Sequence, residues 1–121
     1  MVILARIKEA IEIDFADIID EIEISEINEM RIILKDETFI DVWFSLKLPG
    51  RYAYHWERRF KDDVIYRHDN VPHKKWLKVK TYPKHFHDGT ESNVAGRYIS
   101  EEIPKGVEEL LRFARMKLIQ V

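Results

Sequence analysis

Histidine titrates near neutrality, so its spacing is informative in a chain searched for chemistry. All five histidines, His55, His68, His73, His85 and His87, lie in the second half of the sequence. Two runs hold four of them: Tyr66-Arg67-His68-Asp69-Asn70-Val71-Pro72-His73 and Thr81-Tyr82-Pro83-Lys84-His85-Phe86-His87-Asp88-Gly89. Alternate residues of an extended segment share a face, which would bring His85 and His87 together. Three chemistries are open to such a set. Two histidines beside Arg and Lys suit metal-free RNA cleavage. One ring takes the 2′-hydroxyl proton, another protonates the leaving oxygen, and a cation stabilises the phosphorane. His85 and His87, with His73 or Asp69, suit a metal ion and a hydrolase that depends on it, although nearby lysines would repel the cation. Hydrogen-bonded histidines that pack a loop over a sheet are the third reading.

The acid/base reading nominates His73, His85 and His87 for catalysis, with Arg67 and Lys84 on phosphate and Asp69 as the orienting carboxylate. It needs no cofactor and no metal. Asp69 and Asn70 also have a plain structural use, because short polar side chains bond to nearby amides and Pro72 fixes a turn. Between the two runs, Trp76 sits among Lys74, Lys75, Lys78 and Lys80. Lysines on phosphates and a ring on a base would suit single-stranded RNA, with Lys84 extending the same patch. A tryptophan that anchors the loop is the competing role. Tyr52, Tyr54 and Trp56 share one face of a strand and read as core rather than as a stacking platform.

The totals narrow the setting. A chain of 121 residues with 45% hydrophobic and 35% charged side chains fits one domain, spanning residues 1–121, with a core of its own. The absence of cysteine excludes disulfides, thiolate nucleophiles and Cys-based zinc sites. No apolar run reaches the length of a membrane span, and charge enters too early for a signal-peptide core, so the expected compartment is the cytoplasm. The net charge of −2 conceals an asymmetry. Residues 1–50 carry 5 basic and 12 acidic side chains, and residues 51–121 carry 15 and 10. Such a chain either presents faces of opposite sign or mixes its charges on folding.

The elements that must position these residues follow from periodicity. Ile3, Leu4, Ile7, Ala10 and Ile11 form a helical stripe over about Val2 to Glu12, with Phe15 and Ile18 continuing it. Alternation then marks strands: Ile22 and Ile24; Met30, Ile32 and Leu34; Thr38, Ile40, Val42, Phe44 and Leu46; Tyr52, Tyr54 and Trp56, with Phe60 on the same face; and Val64 to His68. Asp36-Glu37 and Pro49-Gly50 are turns, and links this short make antiparallel neighbours. Residues 69–97 read as a long, mostly irregular connection, and such connections are usually functional. A closing helix has Ser100 as its N-cap, Pro104 in its first turn and a stripe of Ile103, Val107, Leu110, Leu111, Ala114 and Leu118. The expected fold is α+β: a twisted antiparallel sheet of about five strands with the N- and C-terminal helices packed on one face.

The two runs and Tyr52-Ala53-Tyr54-His55-Trp56 together resemble the TumE family of toxins from toxin–antitoxin pairs. That family has an aromatic strand ending in His-Trp, then Arg-x-Asp-Asn-x-Pro-His, then Thr-Phe-Pro-x-His-x-His-x-Gly. Here Tyr82 stands where the family has Phe, and Lys74-Lys75-Trp76-Leu77-Lys78 is a basic insertion relative to its short members. The motifs run from about Arg51 to Asn93. The resemblance implies a toxin with a cognate helix-turn-helix antitoxin as its partner. Combined with the residues, it gives a toxin acting on RNA, with a metal-independent endoribonuclease as the catalytic form. A non-enzymatic module binding nucleic acid or protein, and a metal-dependent hydrolase using His85 and His87, are the alternatives.

Overall fold

Residues 2–70, 85–90, 94–95 and 102–119 are described by a computed structural model. Helix α1 spans Val2–Glu12 and buries Leu4, Ile7 and Ile11, one residue per turn of the expected stripe. Turns replace the helix after Glu12, yet Phe15 and Ile18 remain buried. Strands β1 (Ile19–Glu26), β2 (Glu29–Leu34), β3 (Phe39–Phe44), β4 (Tyr52–Glu57), β5 (Ile65–Asp69), β6 (His85–Gly89) and β7 (Val94–Ala95) follow, with a short helix α2 (Arg59–Asp62) between β4 and β5. Helix α3 (Lys105–Ile119) comes last.

The seven strands pair in sequence order, each antiparallel to the next. Short connections produce the first part of this meander, from β1 to β4. Ile27 and Asn28 join β1 to β2, and the Asn28 amide donates to the Phe44 carbonyl at 2.7 Å. Between β2 and β3, Glu37 adopts a positive φ of 75° while an Asp36 carboxylate oxygen accepts from the Thr38 amide at 3.0 Å. Gly50, at φ 87°, reverses the chain before β4.

One sheet face carries the core. Met30, Ile32 and Leu34 from β2, Ile40 and Val42 from β3, Tyr54 and Trp56 from β4, Tyr66 from β5 and Phe86 from β6 are buried in one cluster with α1 and α3. Both helices therefore cover the same face, and the α+β architecture inferred from periodicity holds. Phe113 of α3 stands edge-on to Tyr66, Trp56 and Phe86, with centroids 4.9, 6.4 and 5.5 Å away. The Trp56 indole donates to the Thr38 hydroxyl at 2.8 Å, which satisfies a fully buried polar pair. Arg115 ties α3 to the segment after α1, with Nη2 bonded to the Asp14 carbonyl at 2.6 Å and to Asp17 at 2.7 Å.

Some expectations change in detail. The sheet gains β6 and β7 from a stretch that reads as irregular. Phe60 leaves the β4 face for α2 and is 62% exposed, because the strand ends at Glu57. Leu46, past the end of β3, is exposed for the same reason. Helix α3 begins at Lys105, so Pro104 precedes it and Ile103 is exposed rather than part of its stripe. Ser100 lies outside the described residues.

Leu110 and Leu111 are fully buried beneath α3. Leu111→Ala should cost about 2–5 kcal/mol through lost burial and a cavity. That corresponds to a fall of roughly 10 °C in Tm, measurable by calorimetry, and an unchanged melting curve would show that α3 does not hold the fold together.

Candidate functional site

The helices leave the other face of the sheet uncovered by either of them, and strand register organises its side chains into rows. Arg31, Asp41, His55, Arg67 and His87 stand opposite one another on β2 to β6. A second row holds Glu29, Trp43, Ala53, Asp69 and His85 on the same strands. Phe39, Glu57, Ile65 and Gly89 continue a third from β3 to β6. Adjacent strands lie about 4.8 Å apart, so neighbours within a row are in side-chain reach.

At the centre, Arg67 Nη1 lies 3.5 Å from His55 Nδ1 and Arg67 Nε donates to Asp69 at 3.0 Å. The other side of the His55 ring meets Glu57, with Nε2 and Oε1 3.3 Å apart. His87 Nε2 is 3.8 Å from the same Asp69 oxygen that Arg67 contacts. Two histidines, each beside a carboxylate, thus flank one guanidinium. Asp69 and His87 are buried, with side chains 5% and 11% exposed, while Arg67 retains 35%. Rows two and three add depth: a concavity of about 600 Å³ is lined by Glu29, Arg31, Phe39, Asp41, Trp43, Ala53, His55, Glu57 and Arg67.

Electrostatics separates the charged groups. Burial pushes the His55 imidazole below the usual histidine range, and the positive charges of Arg67 and Arg59 act in the same direction against the Glu57 hydrogen bond. The Arg59 guanidinium, hydrogen-bonded to Glu57 together with its own backbone N–H, lowers the Glu57 carboxyl from 4.5 to about 2. Glu57 is therefore an anion throughout the neutral range, beside a histidine that favours its neutral form.

Of the residues nominated from the sequence, Arg67, Asp69 and His87 come together here. His85 occupies the adjoining register position on β6, opposite Asp69, and its side chain lies outside the described residues. His73, Lys74, Lys75, Trp76, Lys78, Lys80 and Lys84 also lie outside them. Asn70 does the turn work open to it: its amide donates to the Gly50 carbonyl at 2.7 Å and its oxygen accepts from the Tyr52 amide at 2.9 Å. His68 points the other way. It is fully buried in the helix-covered layer, 2.8 Å from the Tyr52 hydroxyl. Among the described residues no three His, Asp or Glu side chains converge closely enough to hold a metal ion, and no helix is long and apolar enough to cross a membrane.

Sequence reasoning passed over His55, Glu57, Arg31 and Asp41 as site residues. The signal was present, since all four alternate with core residues and so share the outward face, but only register shows that Asp41, His55 and Arg67 are neighbours.

A family model described as Toxin TumE matches residues 5–118. The chain belongs to the TumE toxin family. It is thus the toxin component of a toxin–antitoxin pair, with an antitoxin as its partner. No curated protein and no solved structure matches the chain.

Acidification should destabilise this face in two steps. A histidine whose folded pKa is depressed contributes stability above its unfolded value, 6.5 for His55, and loses it as pH falls below that. Glu57 contributes above 4.5 and loses its contribution between 4.5 and about 2. Urea unfolding across this range should show stability falling with pH, and Glu57→Gln should flatten the fall below 4.5. Identical pH profiles for the two proteins would refute the assignment.

Proposed function

We propose that this toxin acts on RNA and cleaves it without a metal, using the row His55–Arg67–His87. The observation that carries the reading is that row: two histidines on adjacent sides of a guanidinium, on a sheet face that neither helix covers. Transfer within RNA needs a base to take the 2′-hydroxyl proton and an acid to protonate the departing 5′-oxygen. The 2′-oxygen bonds to phosphorus, the P–O5′ bond breaks, and the products are a 2′,3′-cyclic phosphate and a 5′-hydroxyl. His55, held toward its neutral form, suits the base. His87 suits the acid, since an imidazolium there would have Asp69 as its counter-charge. Arg67 stands between them, where charge develops on the phosphorane.

His73 and His85 remain candidates for the same site. The chain leaves β5 beside Asp69 and enters β6 at His85, so the connection bearing Lys74, Lys75, Trp76, Lys78, Lys80 and Lys84 starts and finishes at this end of the face. We assign those residues to the single strand, with lysines on phosphates and the indole on a base. Such a toxin works in the cytoplasm, silenced by a helix-turn-helix antitoxin.

His55→Ala, His87→Ala and Arg67→Ala should each lower cleavage of a single-stranded RNA by about 10²-fold or more, with loss of growth inhibition, in protein that remains folded. The wild-type rate should be bell-shaped in pH, and the fragments should end in cyclic phosphate and 5′-hydroxyl. Folded variants that cleave as well as wild type would remove the catalytic reading in favour of a binding module.

A further inference from the structure

The concavity extends beyond the histidine row, and its part over β2, β3 and β4 has no task in cleavage. Glu29, Arg31, Phe39, Asp41, Trp43 and Ala53 build that part. We propose that it is a subsite for one unpaired guanine base of the RNA, beside the scissile phosphate. The proposal deepens the reading of an RNA-cleaving toxin and rests on it.

Flat surfaces come first. The Arg31 guanidinium lies over the Phe39 ring, 3.8 Å from its centroid. Asp41 holds it from the edge with two bonds of 2.8 and 3.0 Å. Stacked on one side and clamped at the rim, this plane is fixed, and with the Arg31 side chain 43% exposed its second face is open to a base. Bases stack on arginine planes and on aromatic rings in the recognition of single strands. Trp43 supplies an indole in the neighbouring row, opposite Ala53. Both line the concavity.

Charge then selects what enters. The part over β2, β3 and β4 holds two carboxylates (Glu29, Asp41) against one guanidinium (Arg31). That local balance leaves the phosphate to Arg67 and favours a group rich in N–H donors here. Arg31 occupies both Asp41 oxygens, and Arg59 and His55 occupy Glu57. Glu29, half-buried, keeps its carboxylate outside any hydrogen bond among the described residues. A carboxylate only accepts, and its two oxygens match two adjacent donors. Guanine offers N1–H and N2–H side by side on its Watson–Crick edge. Adenine and cytosine pair one amino donor with a ring-nitrogen acceptor, and uracil sets its one N–H between carbonyls, so each leaves a lone pair facing the carboxylate.

The test uses uncleavable 2′-fluoro oligouridines carrying one central G, A, C or U, titrated into the purified toxin by calorimetry. The G oligomer should bind about ten-fold more tightly than the others. Glu29→Gln should erase that preference at unchanged Tm, and Trp43→Ala should weaken all four by about ten-fold. Equal affinity for the four oligomers, or a G preference indifferent to Glu29→Gln, overturns the subsite. Cleavage of natural RNA is followed on the same preparations. A G preference in a toxin that cleaves nothing supports the subsite and removes the catalytic reading, whereas cleavage without base preference removes the subsite alone.

Discussion

The register between β4 and β5 is the constraint on which the rest of the molecule depends. Trp56 opposite Tyr66, and Tyr54 opposite His68, set the helix-covered layer, and Phe113 packs into it from α3. Because side chains alternate from face to face, a slip of one residue would expose those rings and drive His55 and Arg67 into the core. Burying large aromatic side chains contributes about 2–3 kcal/mol each, far more than the polar face can recover from ion pairs at its surface. The core thus enforces the alignment, and the polar row is aligned as a by-product. Thr38 adds a directional lock, because the Trp56 indole finds its acceptor in this register.

On the open face, ion pairs tie several cations to a near carboxylate: Arg31 to Asp41, Arg59 to Glu57, Arg67 to Asp69. These pairs fix geometry more than they add stability, since half-exposed pairs contribute little. Among the described residues Arg67 is bound through Nε to Asp69 and touches His55 through one terminal nitrogen. Arg31, by contrast, is committed at its edge and on one side. Two guanidiniums of the same row are thereby prepared for different partners, a charged one and a flat one.

Periodicity made much of this legible. The helix over Val2–Glu12, the strand cores and the opposite orientations of Trp56 and His55 follow from spacing alone. Proximity along the chain was a weaker guide. His68 sits beside Asp69 in sequence, yet parity sends it into the core and Asp69 to the open face. β6 was hidden because it is short and mostly polar, and β7 because it is two residues long; pairing with β5 rather than local preference makes β6 a strand. Phe60 and Leu46 misled for a related reason: each keeps the parity of a strand that has already ended. Membership of the row could not be read at all, since it depends on which residues of separate strands become opposite.

Asn70 bridges Gly50 and Tyr52 at the point where the chain leaves β5. A joint clamped there transmits little of what happens beyond it. The connection between β5 and β6 can then be lengthened, shortened or recharged during evolution without moving the histidines on the sheet. The loop and the polar row become separately variable, so one scaffold can carry different loops without losing the alignment of its sheet.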